Sequence, residues 1–294
     1  MPDDVSVVVV TWNSLPTLER CLGSVAGHET IVVDNGSSDG TPEFVAQRFP
    51  EVRLIEQENR GMGAGNNAGM RASSSRYTLL LNADAWVLGD GLAALVAAAE
   101  AHPRAAVVGP RLLNPDGTLQ RSVRGDPTPW RLATEYLFLR KLAPRSRFLN
   151  AFYGAGFAYD REVEVESLYG AALLVRRAAA DEVGLFDEEF FMFSEETDWL
   201  YRFRKAGWKV RFTPSAEVVH LGGAAHGGRL YVENLRGILR FLAKHRGARS
   251  AERARRLLLI SLRLRGLVFR GERGGRYREG ARFLASGEAR AFGR

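Results

Sequence analysis

The sequence predicts an α/β fold with a mostly parallel central sheet flanked by helices. From residue 5 to residue 108, short apolar runs alternate with segments of helical character, the order expected when parallel strands are joined by helical crossovers. Three of those runs empty into polar turns, near Asn13, Asp34 and Asp84, and a switched α/β sheet binds ligands at such strand ends. Beyond residue 229 the pattern changes again, and the chain reads as helix to its end.

Strands are expected at 5–10, 30–33, 52–55, 77–81 and 105–108, with helices at 15–26, 41–48, 65–72 and 91–101 between them. The first two helix starts are well marked. Ser14 with Pro16, and Thr41 with Pro42 and Glu43, put proline in the first turn, where its missing N–H is not needed. Around Gly109 and Pro110 a different module begins, and Asn114 to Gly117 reads as a tight turn between two short extended pieces. Residues 127–143, carrying Trp130, Tyr136, Leu137 and Phe138, predict an amphipathic helix, and 144–167 a mobile loop. Strand resumes over 163–168 and again over 169–175; helices follow at 177–183 and 195–206, then strands at 210–212 and 218–220. The C-terminal stretch opens with helices at 230–245 and 252–269. The expected division is thus 1–110, 111–228 and 229–294, without internal repeats.

Composition narrows the classes. At 294 residues and 46% hydrophobic content, the chain buries one large or two modest cores, which excludes general disorder. No apolar run approaches the roughly 20 residues needed to span a bilayer, and Asp3 and Asp4 stand where a signal peptide would be basic, so a cytoplasmic protein is expected. The single cysteine, Cys21, allows neither an internal disulfide nor a thiolate metal cluster. The net charge of +7 is concentrated late: beyond Arg253 the arginines far outnumber Glu272, Glu279 and Glu288. Such a tail suits an anionic membrane surface or nucleic acid, or is a solvated arginine-rich face.

Chemistry concentrates in a few segments. Residues 77–84 form an apolar run ending in Asn82 and Asp84, two oxygen donors one residue apart, which point the same way where a strand leaves a sheet and suit a hard divalent cation. The turn from Asp34 to Thr41 has carboxylates at both ends and glycines between; Asp34 can accept hydrogen bonds from a base N–H or ribose hydroxyls, or the segment is ordinary turn chemistry. Glu195 and Glu196 follow Ser194 at a helix start, where acidic residues gain about 0.3–1 kcal/mol from the helix dipole, and where a carboxylate could also serve as a base. Asp198 lies on the same helix, placed to orient Arg202 or to meet an acceptor hydroxyl, and Trp199, Leu200 and Phe203 have core spacing. His220 ends a Val-Val strand and precedes Leu and two glycines, with His226 six residues on.

Together these segments closely resemble the family 2 glycosyltransferases of the GT-A fold, in particular their rhamnosyltransferase-like members, over residues 5–223. The resemblance implies a nucleotide-sugar-binding half at 1–110, an acceptor-binding and catalytic half at 111–228, and a basic amphipathic extension at 229–294. It implies an inverting transfer of a sugar, rhamnose favoured, from a dTDP- or UDP-sugar to a hydroxyl of a glycan or lipid-linked glycan in cell-surface polysaccharide synthesis. Thr11, Trp12 and Asn13 then flank the nucleotide, Asp34 holds the pyrimidine, and Asn59, Gly61 and Asn66 pack around the donor. Asn82-Ala-Asp84 stands where the family has Asp-x-Asp, which makes Asp84, with His220 near the diphosphate, the expected holder of Mg²⁺ or Mn²⁺. Glu196 or Glu195 is the expected base, with Asp198 and Trp199 on the acceptor side. No nucleic-acid partner is expected.

Two rivals are open on sequence. Gly63-x-Gly65-x-x-Ala68 satisfies a dinucleotide fingerprint and would make the chain an NAD(P)-binding dehydrogenase, although Glu56 to Met62 separate the glycines from their strand. A sugar-nucleotide-binding partner without catalysis is the other. In the C-terminal helices, Leu257, Leu258, Leu259, Ile260, Leu262, Leu264, Leu267, Val268 and Phe269 interleave with arginines; such helices fit peripheral contact with the inner face of the plasma membrane, or packing on the catalytic domain or in a homodimer.

Overall fold

The computed structural model describes residues 4–143, 146, 148–149, 152, 157–222 and 228–293; Gly223, His226 and much of the expected 144–167 loop lie outside them. Strand β1 (Val5–Thr11) is buried at every position, and its side chains divide between two layers. Val7 and Val9 join the apolar cluster on one face of the sheet, Val8 and Val10 the cluster on the other. The chain continues through α1 (Leu15–Gly23), β2 (Glu29–Asp34), α2 (Thr41–Arg48), β3 (Arg53–Glu56), α3 (Met62–Ala72), β4 (Tyr77–Asn82), β5 (Ala85–Val87) and α4 (Gly91–Ala101). Next come β6 (Ala105–Leu113), β7 (Leu119–Gln120), β8 (Val123–Arg124), α5 (Pro129–Tyr136), β9 (Val163–Glu164), β10 (Ser167–Leu168), β11 (Ala172–Arg176), α6 (Arg177–Val183), α7 (Glu195–Lys205) and β12 (Lys209–His220). Four helices close the chain: α8 (Gly228–Arg246), α9 (Ala248–Val268), α10 (Gly271–Ala285) and α11 (Gly287–Ala291).

The main sheet has the order β3-β2-β1-β4-β11-β6-β12-β5, with β7 on β6 and β9 on β12. β1 pairs in parallel with both β2 and β4, so the order reverses beside β1 and opens a crevice at the strand ends. β11 runs antiparallel between β4 and β6, which joins the first four strands to the second half in one mostly parallel, mixed sheet. Helix α3 lies close on β1 because Gly65 and Gly69 face it: a Cβ at Gly69 would overlap Val8, and one at Gly65 would crowd Val10.

Four expectations change. The helix expected over 127–143 stops at Tyr136: Thr128 caps its start by accepting from the Arg131 N–H, but Phe138 takes a left-handed φ of 59° and the chain turns into a short 3-10 turn at Leu139–Lys141. The strand expected over 163–168 is two short strands with different partners, β9 on β12 and β10 on β8. Tyr169 and Gly170 precede strand β11 and do not belong to it. The strands expected at 210–212 and 218–220 are one, β12, whose pairing with β6 shifts register between Thr213 and Glu217, around Pro214.

The C-terminal helices have their own apolar cluster, which includes Leu239, Leu242, Leu258, Leu262 and Leu284 and takes in Leu132 of α5, Phe190 and Tyr201. They are therefore packed on the catalytic body. Among the described residues, no helix is long and apolar enough to cross a membrane.

Candidate active site

Three strand ends meet at the crevice. Thr11 of β1 is in register with Asp34 of β2, and Val10 with Asn82 of β4, so these ends lie side by side. Asp34 is buried: Oδ1 accepts from the hydroxyls of Thr11 at 2.8 Å and Ser37 at 2.5 Å, and Oδ2 accepts from the Ser37 N–H at 2.8 Å. Oδ2 keeps acceptor capacity for a further donor. The two turns are clasped together, since the Asn13 N–H donates to Ser37 Oγ and Asn13 Oδ1 accepts from the Ser38 N–H, each at 2.8 Å. Asn13 has a φ of 52°, a left-handed conformation that asparagine tolerates better than most residues. The clasp holds Trp12 outward with 57% of its surface exposed, so an aromatic face stands beside the buried carboxylate.

A third wall follows β3. The Asn59 side-chain oxygen accepts from the Gly61 N–H, and the Asn35 side chain donates to the Gly61 carbonyl while accepting from Gln57. Gly61 has a φ of 100°, and a Cβ there would overlap the Phe191 carbonyl, which accepts from the Met62 N–H at 3.0 Å. The donor-side segment thereby crosses directly over the segment leading to α7. Asn66 is buried on α3, but the tie to that segment is made by Asn67, whose amide bonds both Phe186 backbone groups and Glu188.

At the centre, Asp84 follows β4 and His220 ends β12; their Oδ1 and Nε2 atoms lie 3.3 Å apart. The short antiparallel pairing of β5 with β12 brings them together by aligning His220 with Ala85. Gln120 sets the imidazole. Its Nε2 donates to the His220 carbonyl and to Asn114 Oδ1, so its Oε1 faces His220 Nδ1 at 2.7 Å and accepts a hydrogen bond from that N–H. The other ring nitrogen, Nε2, is then turned on the Asp84 carboxylate. Two lone pairs at that separation repel unless a proton or a cation lies between them, and a carboxylate oxygen with an imidazole nitrogen is a donor set that divalent cations accept. Burial raises the Asp84 pKa, but the bond and charge of His220, with the Gly222 N–H, more than reverse it and keep the carboxyl below its ordinary value. Asn82 is half-buried beside this pair, with its backbone carbonyl toward the buried Cys21 thiol.

Opposite stand the two glutamates. One oxygen of each, Glu195 Oε2 and Glu196 Oε2, is buried with no hydrogen-bond partner among the described residues. Burial, and then the neighbouring Glu196 charge, push the Glu195 pKa well above the ordinary carboxyl value; burial also raises Glu196, opposed by the charge of Arg124. Phe193 and Ser194 both have left-handed φ, 67° and 69°, so Ser194 does not cap α7 through its side chain as its sequence position suggested. Helix α8 holds this turn: Gly237 lies so close to the Phe193 carbonyl and Ser194 that a Cβ there would meet the carbonyl oxygen at 2.5 Å.

Two site residues escape the sequence reading. Tyr169 sits between the two halves, its ring centroid 5.4 Å from that of His220, with the Arg124 guanidinium 4.5 Å over the ring. Its hydroxyl pKa is raised by burial, against Arg124, and further by the charges of Glu196, Asp84 and Glu195. Spacing gives no hint of these two, because β8 and β10 are two residues long and bring the residues together only through their own pairing. Conversely, Asp198 and Trp199, expected on the acceptor side, are fully buried. Asp198 bonds Arg202 at 2.8 Å, Lys244 at 2.8 Å and His245 at 2.7 Å, and Trp199 donates to the Gly184 carbonyl. They fasten α7 to α8 and to the core, with no surface left for an acceptor.

The glycine fingerprint fares likewise. Gly63 faces Phe186, and Gly65 faces Val10, so these glycines serve close packing of α3 within the helix and form no turn at a first strand.

Comparison with known proteins agrees with this geometry. Residues 6–164 match the family model described as Glycosyl transferase family 2. The N-acetylglucosaminyl-diphospho-decaprenol L-rhamnosyltransferase of Mycobacterium tuberculosis strain H37Rv is 36% identical over 237 residues, 75% of this chain and 76% of its own. Among solved structures, mannosyltransferase PcManGT of Pyrobaculum calidifontis, in complex with GDP-Man and Mn²⁺, aligns over 99% of this chain and 83% of its own with a TM-score of 0.57 at 17% identity. GalNAc-T7 with UDP, GalNAc and Mn²⁺ aligns over 81% of this chain and 47% of its own with a TM-score of 0.56, also at 17% identity. With a mixed, mostly parallel sheet whose order reverses beside its first strand, the chain belongs to glycosyl transferase family 2 and is a glycosyltransferase of the GT-A fold.

Proposed function

We propose that the protein is an inverting, metal-dependent rhamnosyltransferase, moving L-rhamnose from dTDP-rhamnose to a hydroxyl of a polyprenyl-diphosphate-linked amino sugar at the cytoplasmic face of the membrane. The observation that carries this reading is the gathering of the Asp84–His220 pair and the two glutamates around Tyr169, beyond the strand ends that also carry Asp34. The identity with the mycobacterial rhamnosyltransferase supports the choice of sugar and acceptor.

In this reading Asp34 accepts from the pyrimidine, Thr11 orients that carboxylate, Trp12 and Asn13 flank the base, and Asn59, Gly61, Asn66 and Asn82 line the donor. Asp84 and His220 would hold Mg²⁺ or Mn²⁺, which when bound supplies positive charge against the departing diphosphate. Among the described residues no group of three His, Cys, Asp and Glu side chains is gathered for a metal, so a cation held by Asp84 and His220 would need its further ligands from the donor and water. Glu196 is the base. It is half-buried along Gly170, and the charge of Arg124 opposes the rise that burial gives its pKa, whereas burial and then the Glu196 charge both push Glu195 up. Glu196 takes the acceptor hydroxyl proton while that oxygen bonds to C1 and the nucleoside diphosphate departs from the opposite face with its bonding electrons.

Titration calorimetry with dTDP, UDP, GDP and NAD, each with Mn²⁺ and with EDTA, tests the site. Asp84→Asn is expected to abolish the metal-dependent part of dTDP binding while circular dichroism is unchanged. Metal-independent binding of NAD alone would overturn the reading.

A further inference from the structure

Helix α9 buries one side against the catalytic body and leaves the other uncovered. Ala251, Ala254, Leu258 and Leu262 are inside, in the C-terminal cluster. On the opposite side, Arg256, Ile260, Arg263, Leu264, Leu267 and Val268 are exposed. The last turns of that stripe are apolar to an unusual degree: Ile260 is 59% exposed, Leu264 55%, Leu267 83% and Val268 75%. The spacing of 260, 264, 267 and 268 keeps them on one helical face. Beside them lies the corner where α5 ends. Arg265 donates to the Glu135 and Tyr136 carbonyls and covers the Phe138 ring at 4.0 Å, and the same corner exposes Leu137 and, at 78%, Leu142. Two elements far apart in sequence therefore present large aliphatic side chains at one end of the molecule.

Basic side chains outnumber acidic ones around this end, where Glu272 is the exposed carboxylate. Arg263, Arg270 and Arg273 are exposed next to the aliphatic side chains, as is Lys141 on the neighbouring corner. Glu252 is engaged by Arg255 and Arg256, and the exposed Glu272 faces Arg276 at 3.8 Å. Exposed aliphatics ringed by arginines match the interface of an anionic bilayer, where the side chains enter the acyl boundary and the guanidinium groups meet phosphate.

We infer that this end of the molecule, the exposed stripe at 260–268 with the corner at 137–142, is a docking surface for an anionic lipid bilayer. Resting on the acceptor reading above, the inference gives the enzyme a fixed way to meet a substrate that cannot leave the membrane. The occupant is lipid: the positive ring would face its own like charge in a symmetric dimer built on this patch.

The test uses the full chain with vesicles of phosphatidylcholine alone or mixed with phosphatidylglycerol. Sedimentation with the mixed vesicles at low salt, weakened by high salt and by neutral lipid, is expected. The double variant Leu264→Glu, Leu267→Glu is expected to partition about tenfold more weakly or worse, with unchanged circular dichroism and unchanged transfer to a short-chain, detergent-free acceptor. Absence of sedimentation overturns the inference. So does a wild-type dimer in light scattering that the double variant converts to monomer, because the patch would then be covered by a second copy. Vesicle binding without any transfer to the short-chain acceptor upholds the surface and counts against the acceptor reading alone.

Discussion

Helix α7 carries Glu195, Glu196 and Asp198 within one turn, and its two sides treat them in opposite ways. On the crevice side the two glutamates are buried with unpartnered oxygens, and burial raises both pKa values. On the far side Asp198 is buried more completely, yet Arg202, Lys244 and His245 surround it, and those bonds outweigh burial and bring its pKa down to about 2. Burial is common to the three, so it does not decide their charge. Partners decide it. The same helix therefore carries two carboxyls held above their ordinary pKa and one held well below it as an ionised fastener.

The sharpest way to break this contrast is Glu196→Gln, which removes the base but keeps its shape. We expect kcat to fall about 10²- to 10⁴-fold, with dTDP affinity retained in calorimetry. The acid limb of the wild-type pH profile of kcat/KM is expected above the ordinary glutamate value of about 4.3, because burial raises the pKa of the group that must lose its proton; the residual activity of Glu196→Gln should lack that limb.

Next in size is Asp198→Asn. Leaving Arg202 and Lys244 beside a neutral amide should destabilise the fold by about 3 kcal/mol, the low end for a buried pair because both cations keep contact with water. Thermal unfolding measures it. The sign with pH follows from the depressed pKa: the contribution is complete above the unfolded value of about 4 and is lost as pH falls toward about 2. The wild-type advantage over Asp198→Asn should therefore shrink across that acid window, and an advantage constant with pH would show that the charge is not what fastens α8.

A smaller effect separates the roles of Gln120 and His220. Gln120→Leu removes the acceptor that fixes the imidazole, and second-layer partners of this kind alter metal affinity by about 10- to 100-fold. Mn²⁺ titration in the presence of dTDP, followed by electron paramagnetic resonance, reads that change directly. Smallest of all is Glu195→Gln. An amide replaces a carboxyl that burial and the Glu196 charge push toward its neutral form, so kcat/KM should change by less than about threefold. A large loss here, with Glu196→Gln nearly silent, would exchange the roles of the two residues.

Much of the first half is legible because its signals are local. Val5–Thr11 and Tyr77–Asn82 are apolar runs closed by polar residues, and strand pairing sets those ends side by side without further information. The Asp84–His220 pair is legible only by resemblance, since 136 positions separate the two and the connection runs through β5, a three-residue strand with no recognisable pattern. Arg124 and Tyr169 leave no trace, because two-residue strands have no period to read. The amphipathic reading of 127–143 has the right face but the wrong length: Leu132 and Ala133 are buried as the pattern requires, yet one left-handed residue, Phe138, ends the helix. The acceptor role of Asp198 fails for a related reason, since its burial depends on α8, a helix 30 residues downstream, whereas its pairing with Arg202 and the core spacing of Trp199 both hold.

The crossing of Gly61 under Phe191 has a consequence for how such enzymes can change. Donor recognition and acceptor activation are often pictured as exchangeable parts, yet here the backbone of one part rests on the backbone of the other with no side chain between them. A chimera that swaps the first half for that of a relative must reproduce this contact within a few tenths of an ångström or lose the turn that presents Glu195 and Glu196. Inheritance of new nucleotide specificity is therefore expected to proceed by substitutions around Trp12 and Asp34, within an intact chain, rather than by exchange of halves.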